Sequence, residues 1–287
     1  MAGDVVLRRT PYELVFGPAR FEAEVFPAIR AEAESRGAGG MGPDSFVLLG
    51  TVGRLLRELR PAGGGFEPAD QPPAEAMQQY GSLAWHAWGF WQAGRPVYAL
   101  ADDLTRGLLA EAAPIGPWLF RPPVRAGYLQ LSRHRLWARV TADAAAEPVD
   151  GFHWTWLAAD ASAGRGQPRL DVLLALGMRP GRGGLSVIEI AASPPAGPAG
   201  HWGDLQARPD GPDFANLLPG GELQGYHGIV YAAEALKLVS RCFHWIETRP
   251  ETVSEVAGAG EPAAPDPDAM TSRLAFRAVR LPEPRRP

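Results

Sequence analysis

Two acidic residues interrupt neighbouring apolar runs in the middle of the chain. Asp171 lies among leucines in RLDVLLALGM (169–178), and Glu189 lies in LSVIEIAA (185–192). A carboxylate inside an apolar strand is costly unless it is paired or used in chemistry. Many metal-dependent nucleases hold Mg²⁺ with an acidic pair on adjacent strands, and His153 on a neighbouring strand could complete such a site. The pattern gives one hypothesis, a metal-dependent hydrolase or nuclease-like enzyme.

The same residues have a structural interpretation. Nucleases of that kind usually carry a lysine two residues after the second acid, where this chain has Ala191. Asp171 can instead pair with Arg169 or Arg139, or both acids can face solvent from a half-exposed sheet. A histidine beside tryptophans is more often a sheet residue than a ligand. We favour the structural interpretation, and the sequence leaves open whether the chain is an enzyme.

Other catalytic and cofactor motifs give no stronger indication. GAGGMG (37–42) has the letters of a dinucleotide-binding loop but follows a predicted helix, whereas that loop needs a strand before it. The sequence contains no P-loop, no G-x-S-x-G and no histidine or cysteine pair at metal-ligand spacing. Cys242 falls on the apolar face of a predicted helix, which indicates a structural thiol. We expect no cofactor and no bound metal.

Composition restricts the compartment and the partners. The chain is 46% hydrophobic and 21% charged with a net charge of −4, which indicates a globular protein without a general attraction to nucleic acid. Lys237 is the only lysine against 27 arginines, and the 34 glycines and 29 prolines fit a GC-rich bacterial genome. A single cysteine fits a reducing cytoplasm. No signal peptide and no membrane span are predicted.

Aromatic and arginine residues provide the candidate binding groups. In YGSLAWHAWGFWQAGRPVYAL (80–100), a helical arc of apolar residues predicts a buried face, and Trp85 and His86 flank that arc. Trp154 and Trp156 share one face of a strand, which is a protein interface unless a helix covers it. Arg273 and Arg277 form a basic stripe if the tail is helical.

Hydrophobic periodicity predicts the secondary structure. A 3.6-residue period favours helices in the N-terminal third and one amphipathic helix near the C-terminus, whereas a period of two favours a meander of four or five strands between them. The expected elements are helices at 17–37, 42–60, 80–93, 102–113 and 227–247, strands within 126–192, and a long irregular loop at 193–225. The tail from 271 to 281 fits a strand or a short helix.

These elements predict a single α+β domain over residues 1–287. A helical part (17–113) packs with a four- to six-stranded, mainly antiparallel sheet, and one long amphipathic helix lies across that sheet (126–250). A flexible acidic linker (251–270) and an arginine-rich tail (271–287) follow. The favoured function is a non-enzymatic, cytoplasmic interaction protein that binds a protein partner or a second copy through its aromatic sheet face and long loop. Its candidate binding residues are Trp85, His86, Trp154, Trp156, Arg273 and Arg277.

Overall fold

The computed structural model describes residues 5–16, 22–23, 26–27, 30–31, 74–110, 122–132, 135–139, 145–158, 168–178, 186–192, 227–229, 232–258 and 271–282. Its helices are α1 (Pro11–Phe16), α2 (Ala74–Gln92), α3 (Asp102–Ala110) and α4 (Ala232–Thr248), with a 3₁₀ turn at Pro250–Thr252. Its strands are β1 (Val97–Leu100), β2 (Ala126–Gln130), β3 (Leu136–Ala138), β4 (Glu147–Leu157), β5 (Arg169–Leu176), β6 (Ser186–Ala192), β7 (His227–Ile229), β8 (Val253–Val256) and β9 (Phe276–Val279). The GAGGMG motif, the loop 193–225 and most of the helices expected at 17–37 and 42–60 lie outside these residues.

The α+β class is confirmed, but the sheet is mixed rather than mainly antiparallel. Its described strands run in the order β6-β5-β4-β2-β1-β9-β8, with β3 pairing β4 and β7 to the side. The β4-β5-β6 meander is antiparallel as expected, whereas β1 is parallel to both of its neighbours and β3 is parallel to β7. The strand β1 was not predicted, because all four of its residues are buried and show no alternation of apolar and polar side chains.

Helices cover both faces of the sheet. On one face, α2 buries Leu83, Ala87 and Phe90 against Tyr128 of β2 and Leu173 of β5. On the other face, α3 and α4 pack over an aromatic layer that includes Phe152, Trp154 and Phe243. Consecutive residues of β4 therefore point to different helices, since side chains alternate across a strand. The sheet is a central layer with no bare apolar face in its β2–β4–β5 region.

The helix α2 is a core helix, as its sequence pattern predicts. It ends at Gln92, two residues before Gly94, whose φ of 81° lies in the left-handed region that glycine tolerates. The amide of Arg95 donates to the Phe90 carbonyl and that of Gly94 donates to the Trp91 carbonyl. This pair of bonds is the Schellman arrangement, and it satisfies carbonyls that the helix end would otherwise leave free.

The helix α4 has two features that its sequence pattern does not predict. It begins at Ala232 rather than at 227, because His227–Ile229 pairs with β3 as a strand. The polar side of an amphipathic helix normally faces solvent, yet Lys237, Ser240 and Arg241 are all at most 9% exposed. Arg241 Nη1 donates to the Leu108 carbonyl in the last turn of α3, where a cation is favoured.

The start of the predicted flexible linker forms regular secondary structure. Residues 250–256, at the start of the predicted acidic linker, form the 3₁₀ turn and β8. The tail forms the strand β9, which inserts between β8 and β1. Ser272 then donates from its amide to the Leu7 carbonyl and from Oγ to Glu13, so the tail also contacts the N-terminal segment. Within the described residues, none of the helices is long and apolar enough to cross a membrane.

The start of α1 has a reciprocal cap that gives a first prediction. Glu13 donates from its amide to Thr10 Oγ1 (3.2 Å), and the Thr10 amide donates to Glu13 Oε2 (2.8 Å). Thr10→Ala is expected to lower the free energy of unfolding by about 1 kcal/mol, because the first turn loses an acceptor. Urea unfolding checks this value, with Thr10→Ser as the control that keeps the hydroxyl. Equal losses in the two variants would contradict it.

Candidate functional site

The strand register brings the three candidate catalytic residues to one face of the sheet. Leu173 of β5 pairs with His153 of β4 on one side and with Glu189 of β6 on the other. Asp171 lies two residues before Leu173 and therefore on the same face. That face is the one covered by α2. The sequence placed the three residues on neighbouring strands and left open whether the two carboxylates converge.

Both carboxylates already accept hydrogen bonds from other side chains of the protein. Asp171 is 1% exposed and accepts from Arg169 Nε at 2.5 Å, which is one of the pairings considered from the sequence. Glu189 is exposed and accepts from Ser82 Oγ of α2, also at 2.5 Å. Asp171 raises the pKa of Arg169, and Glu189 adds a smaller contribution in the same direction. In the described ranges, no group of three or more His, Cys, Asp or Glu residues is placed to hold a metal ion.

The ion pair at Asp171 gives a second prediction. Burial raises the pKa of Asp171, and Arg169 opposes that rise. Arg169→Met is expected to cost about 2 kcal/mol at neutral pH, because it leaves a buried carboxylate without its cation. Asp171→Asn in the same background should recover part of the loss, since an amide carries no charge.

A double-mutant cycle from urea unfolding of the wild type, the two single variants and the double variant measures this coupling. Additive effects of the two substitutions would show that Arg169 does not stabilise the Asp171 carboxylate.

His153 and His86 lie together between α2 and the sheet, and both side chains are fully buried. Their ring centroids are 6.3 Å apart, and Phe90 and Tyr128 pack on His153 at 5.5 and 4.7 Å. His86 Nδ1 lies 3.1 Å from Thr155 Oγ1. The Gly127 backbone lies near His153, but in the described part of the chain neither ring nitrogen of His153, nor Nε2 of His86, makes a hydrogen bond of standard geometry.

Burial lowers the pKa of both histidines. The value falls to about 3 for His153, and it falls well below the ordinary range for His86, where His153 and Arg169 add smaller contributions in the same direction. Both imidazoles are therefore neutral at physiological pH. His86 was expected to remain available for binding at the edge of the helical arc, and the structure places it inside the core instead.

The strand tryptophans are not presented to a partner. Trp154 is fully buried, its ring lies 5.0 Å from that of Phe243 on α4, and its Nε1 donates to the Val124 carbonyl. Trp156 lies on the same face and is partly buried. The expectation of an aromatic binding face was wrong, because α4 covers that face. The sequence had left open that a helix covers it.

The two tail arginines have different surroundings. Arg277 lies opposite Tyr98 in the β9–β1 pairing, with its guanidinium 5.4 Å above the Tyr98 ring and 3.7 Å from a Glu255 oxygen. Arg273 precedes β9 and is exposed. Because Phe276–Val279 is a strand, the helical basic stripe expected as one alternative does not form.

An open cleft lies beside the buried histidines, between α2 and the strands β2 and β4. Its volume is about 90 Å³, and it is lined by Trp85, Trp88, Gly89, Gln92, Ala93, Arg125, Ala126, Thr155 and Leu157. Trp85 is only partly buried there, in agreement with its expected position at the edge of the buried arc. We call this feature the tryptophan cleft.

Gly89 determines how closely α2 approaches the sheet at the floor of the tryptophan cleft. A Cβ at this position would lie 3.1 Å from Thr155 Oγ1 and 3.4 Å from the Ala126 Cβ. The missing side chain lets α2 pack tightly and leaves Thr155 at the cleft floor. Sequence reasoning missed Arg125, Gln92 and Thr155 as cleft residues, because they come from segments far apart in the chain.

Comparison with known proteins finds similarity among solved structures. No family model matches the chain, and no curated protein matches it. Among solved structures, the chain is similar to the one titled "Crystal structure of AcrVA2", with a TM-score of 0.44 and 10% sequence identity over 91% of this chain and 81% of that chain. A likeness of this degree carries no argument about function.

Proposed function

We propose that this protein is a non-enzymatic binding protein that engages a protein partner through the tryptophan cleft. The observation that carries the proposal is the cleft itself, an open concavity whose lining includes Trp85, Trp88 and Arg125. Tryptophan and arginine are the residues most enriched among those that dominate the energy of protein interfaces.

The placement of the candidate catalytic residues also supports a binding role. Asp171 is paired with Arg169, Glu189 accepts from Ser82, and His153 is enclosed by aromatic rings. A metal-dependent hydrolase built on these residues would require Arg169 to leave the buried Asp171 carboxylate, which we expect to cost about 2 kcal/mol. In the part of the chain that the structure describes, no contact of these three residues favours the hydrolase alternative, and we do not carry it forward.

The location of the binding surface departs from the sequence-based hypothesis. That hypothesis used the Trp154 and Trp156 face, the loop 193–225 and the arginine tail. Trp154 is in the core, and the loop lies outside the described residues. Of the candidate binding residues, Trp85 is the one that lines the tryptophan cleft, so we transfer the proposed interface to α2 and its neighbours on β2 and β4.

The test compares partner binding by the wild type and by Trp85→Ala. A partner recovered with the tagged chain is purified, and its Kd is measured by calorimetry against both forms. We expect Trp85→Ala to raise the Kd at least about tenfold, the size typical of a central interface residue. Leu281→Ala is the matched control, because Leu281 is a large apolar side chain, 41% exposed, that does not line the cleft. An unchanged Kd in Trp85→Ala, with the fold intact by circular dichroism, would refute the proposed site.

A further inference from the structure

The helices on the two faces of the sheet pack into separate hydrophobic cores. The first, which we call the α2 core, includes Leu83, Ala87 and Phe90 of α2. The second lies on the opposite face and includes Leu104 of α3 and Phe243 of α4. The strands between the two cores are joined by their own hydrogen bonds. A partial opening at α2 therefore leaves the α3–α4 core covered, which is the kind of cooperative unit in which proteins open locally.

His86 and His153 lie against the α2 core, where α2 contacts β4. Both side chains are 0% exposed, and their ring centroids are 6.3 Å apart. In the described part of the chain, His86 Nε2 and both ring nitrogens of His153 make no hydrogen bond of standard geometry. A buried polar group without such a bond is costly, and a buried charge without one is far more costly. The closed fold therefore disfavours a proton on either ring.

The carboxylates that β5 and β6 place on this face already have partners. Asp171 accepts from Arg169 Nε, and Glu189 accepts from Ser82 of α2. Burial lowers the pKa of His86, and His153 and Arg169 add to this shift, because a nearby positive charge opposes a second one. A protonated imidazole thus gains no carboxylate partner from the described residues of β5 and β6.

The other elements around the pair contribute groups that stay neutral or pair among themselves. Asp150 of β4 pairs with Arg8, and Glu13 accepts from Thr10 at the start of α1. The tyrosines of the α2 core stay neutral between pH 7 and pH 5, because burial raises the pKa of Tyr12 on α1, Tyr80 on α2 and Tyr128 on β2. The two histidines are therefore the groups whose protonation opposes the closed position of α2.

We propose that acid releases α2 from the sheet as a unit while the α3–α4 layer stays folded, with His86 and His153 taking up the protons. This proposal goes beyond the binding role and does not depend on it. The opening also separates the two walls of the tryptophan cleft, because Trp85 lies on α2 whereas Arg125 and Thr155 lie on the side of β2 and β4. Acid thereby controls whether the cleft exists.

His153 sets the size of the response. Burial holds its pKa at about 3 in the closed form, whereas an exposed imidazole has a value near 6.5. Well above pH 6.5 neither form binds this proton, and below pH 6.5 the open form binds it while the closed form does not. Between pH 7 and pH 5 the opening equilibrium constant should therefore rise about 25-fold through His153. His86, whose pKa is lowered as well, adds to the rise.

Hydrogen exchange of the full chain at pH 7 and pH 5, in urea below the unfolding transition, tests the proposal. Dividing each amide rate by its intrinsic rate at that pH gives the protection factor. We expect residues 84–88 of α2 to lose protection about 25-fold or more on acidification. Their exchange should also depend less on urea than that of residues 236–243 of α4, because a partial opening exposes less surface. Equal protection and equal urea dependence in the two helices at pH 5 would overturn the proposal, since only the whole domain would then open.

Three variants assign the protons. His153→Leu should reduce the acid response of α2 by about 25-fold, and His86→Leu should reduce it as well. Asp171, whose pKa burial raises, acts in the opposite direction and is the same in all of these proteins. His244→Gln is the matched control, because His244 is an exposed histidine on α4 and its loss should leave the response unchanged. An undiminished response in His153→Leu and His86→Leu would refute the assignment, and the wild-type comparison of the two helices decides the proposal even if a variant does not fold.

Discussion

Replacing Gly151 by alanine is expected to destabilise the fold by about 3 kcal/mol or more. Gly151 pairs with Gln130 beside an irregularity in β4, and a Cβ there would lie 2.3 Å from the Leu129 carbonyl oxygen and 2.7 Å from the Tyr128 hydroxyl. A backbone carbonyl cannot move aside without breaking the β2–β4 pairing, so the overlap costs more than the usual overpacking penalty. The midpoint and slope of urea unfolding measure the loss.

Gly107→Ala is the control for this substitution. Gly107 is exposed in α3, and a Cβ at that position would meet nothing within 4 Å. Alanine there should stabilise the protein by about 0.5–1 kcal/mol, because glycine is a poor helix former. A loss below about 1 kcal/mol in Gly151→Ala would mean that β4 can shift to accept a side chain.

Acidification from pH 7 to pH 5 is expected to reduce the free energy of unfolding by about 2 kcal/mol through His153 alone. Burial lowers the pKa of His153 to about 3, whereas the unfolded side chain keeps a value near 6.5. Below pH 6.5 the unfolded chain therefore binds a proton that the folded chain does not, and stability falls until the pH reaches the folded pKa. His86, whose pKa is also lowered, adds a loss of the same sign.

The variant His153→Leu isolates this contribution. Leucine fills a similar volume among Phe90 and Tyr128, and it carries no titrating nitrogen. Asp171, whose pKa is also shifted, remains in both proteins and cancels in the comparison. His86 remains too, and the loss of the small contribution of His153 to its shift acts in the same direction. Urea unfolding at pH 7 and pH 5 should show a smaller decrease for the variant by about 2 kcal/mol. Parallel decreases in the two proteins would show that His153 is not held neutral in the fold.

Strong periodicity made part of the fold predictable. The apolar arc of α2, its end before Gly94 and the β4-β5-β6 meander all follow from local patterns that a single packing face imposes. The strand β1 was missed because a short strand buried on both faces has no polar alternation. A strand was one of the two alternatives for the tail that forms β9, but its position between β1 and β8 was not predicted, since pairing between distant segments leaves no mark in either one.

The candidate site was predictable only in part for the same reason. The sequence placed Asp171, Glu189 and His153 on neighbouring strands and named Arg169 as one partner of Asp171, but the common face follows from the strand register. The tryptophan cleft instead depends on Gly89 of α2, Arg125 just before β2 and Thr155 of β4, which lie close together only in the folded chain. No spacing relates these residues in the sequence. Trp85 gave the one local signal, because it lies at the edge of an otherwise buried helical arc.

The central position of β1 has a consequence for synthesis of the protein on the ribosome. Tyr98 of β1 and Arg277 of β9 are 179 residues apart, so one edge of β1 lacks its partner until almost the whole described chain has been made. At about 5–20 residues per second, this interval lasts roughly 10–35 seconds. During it, Val97–Leu100 presents an apolar strand edge of the kind that pairs with other chains. Newly made protein should therefore aggregate more readily when translation is slowed between β6 and β9 than when it is slowed after β9.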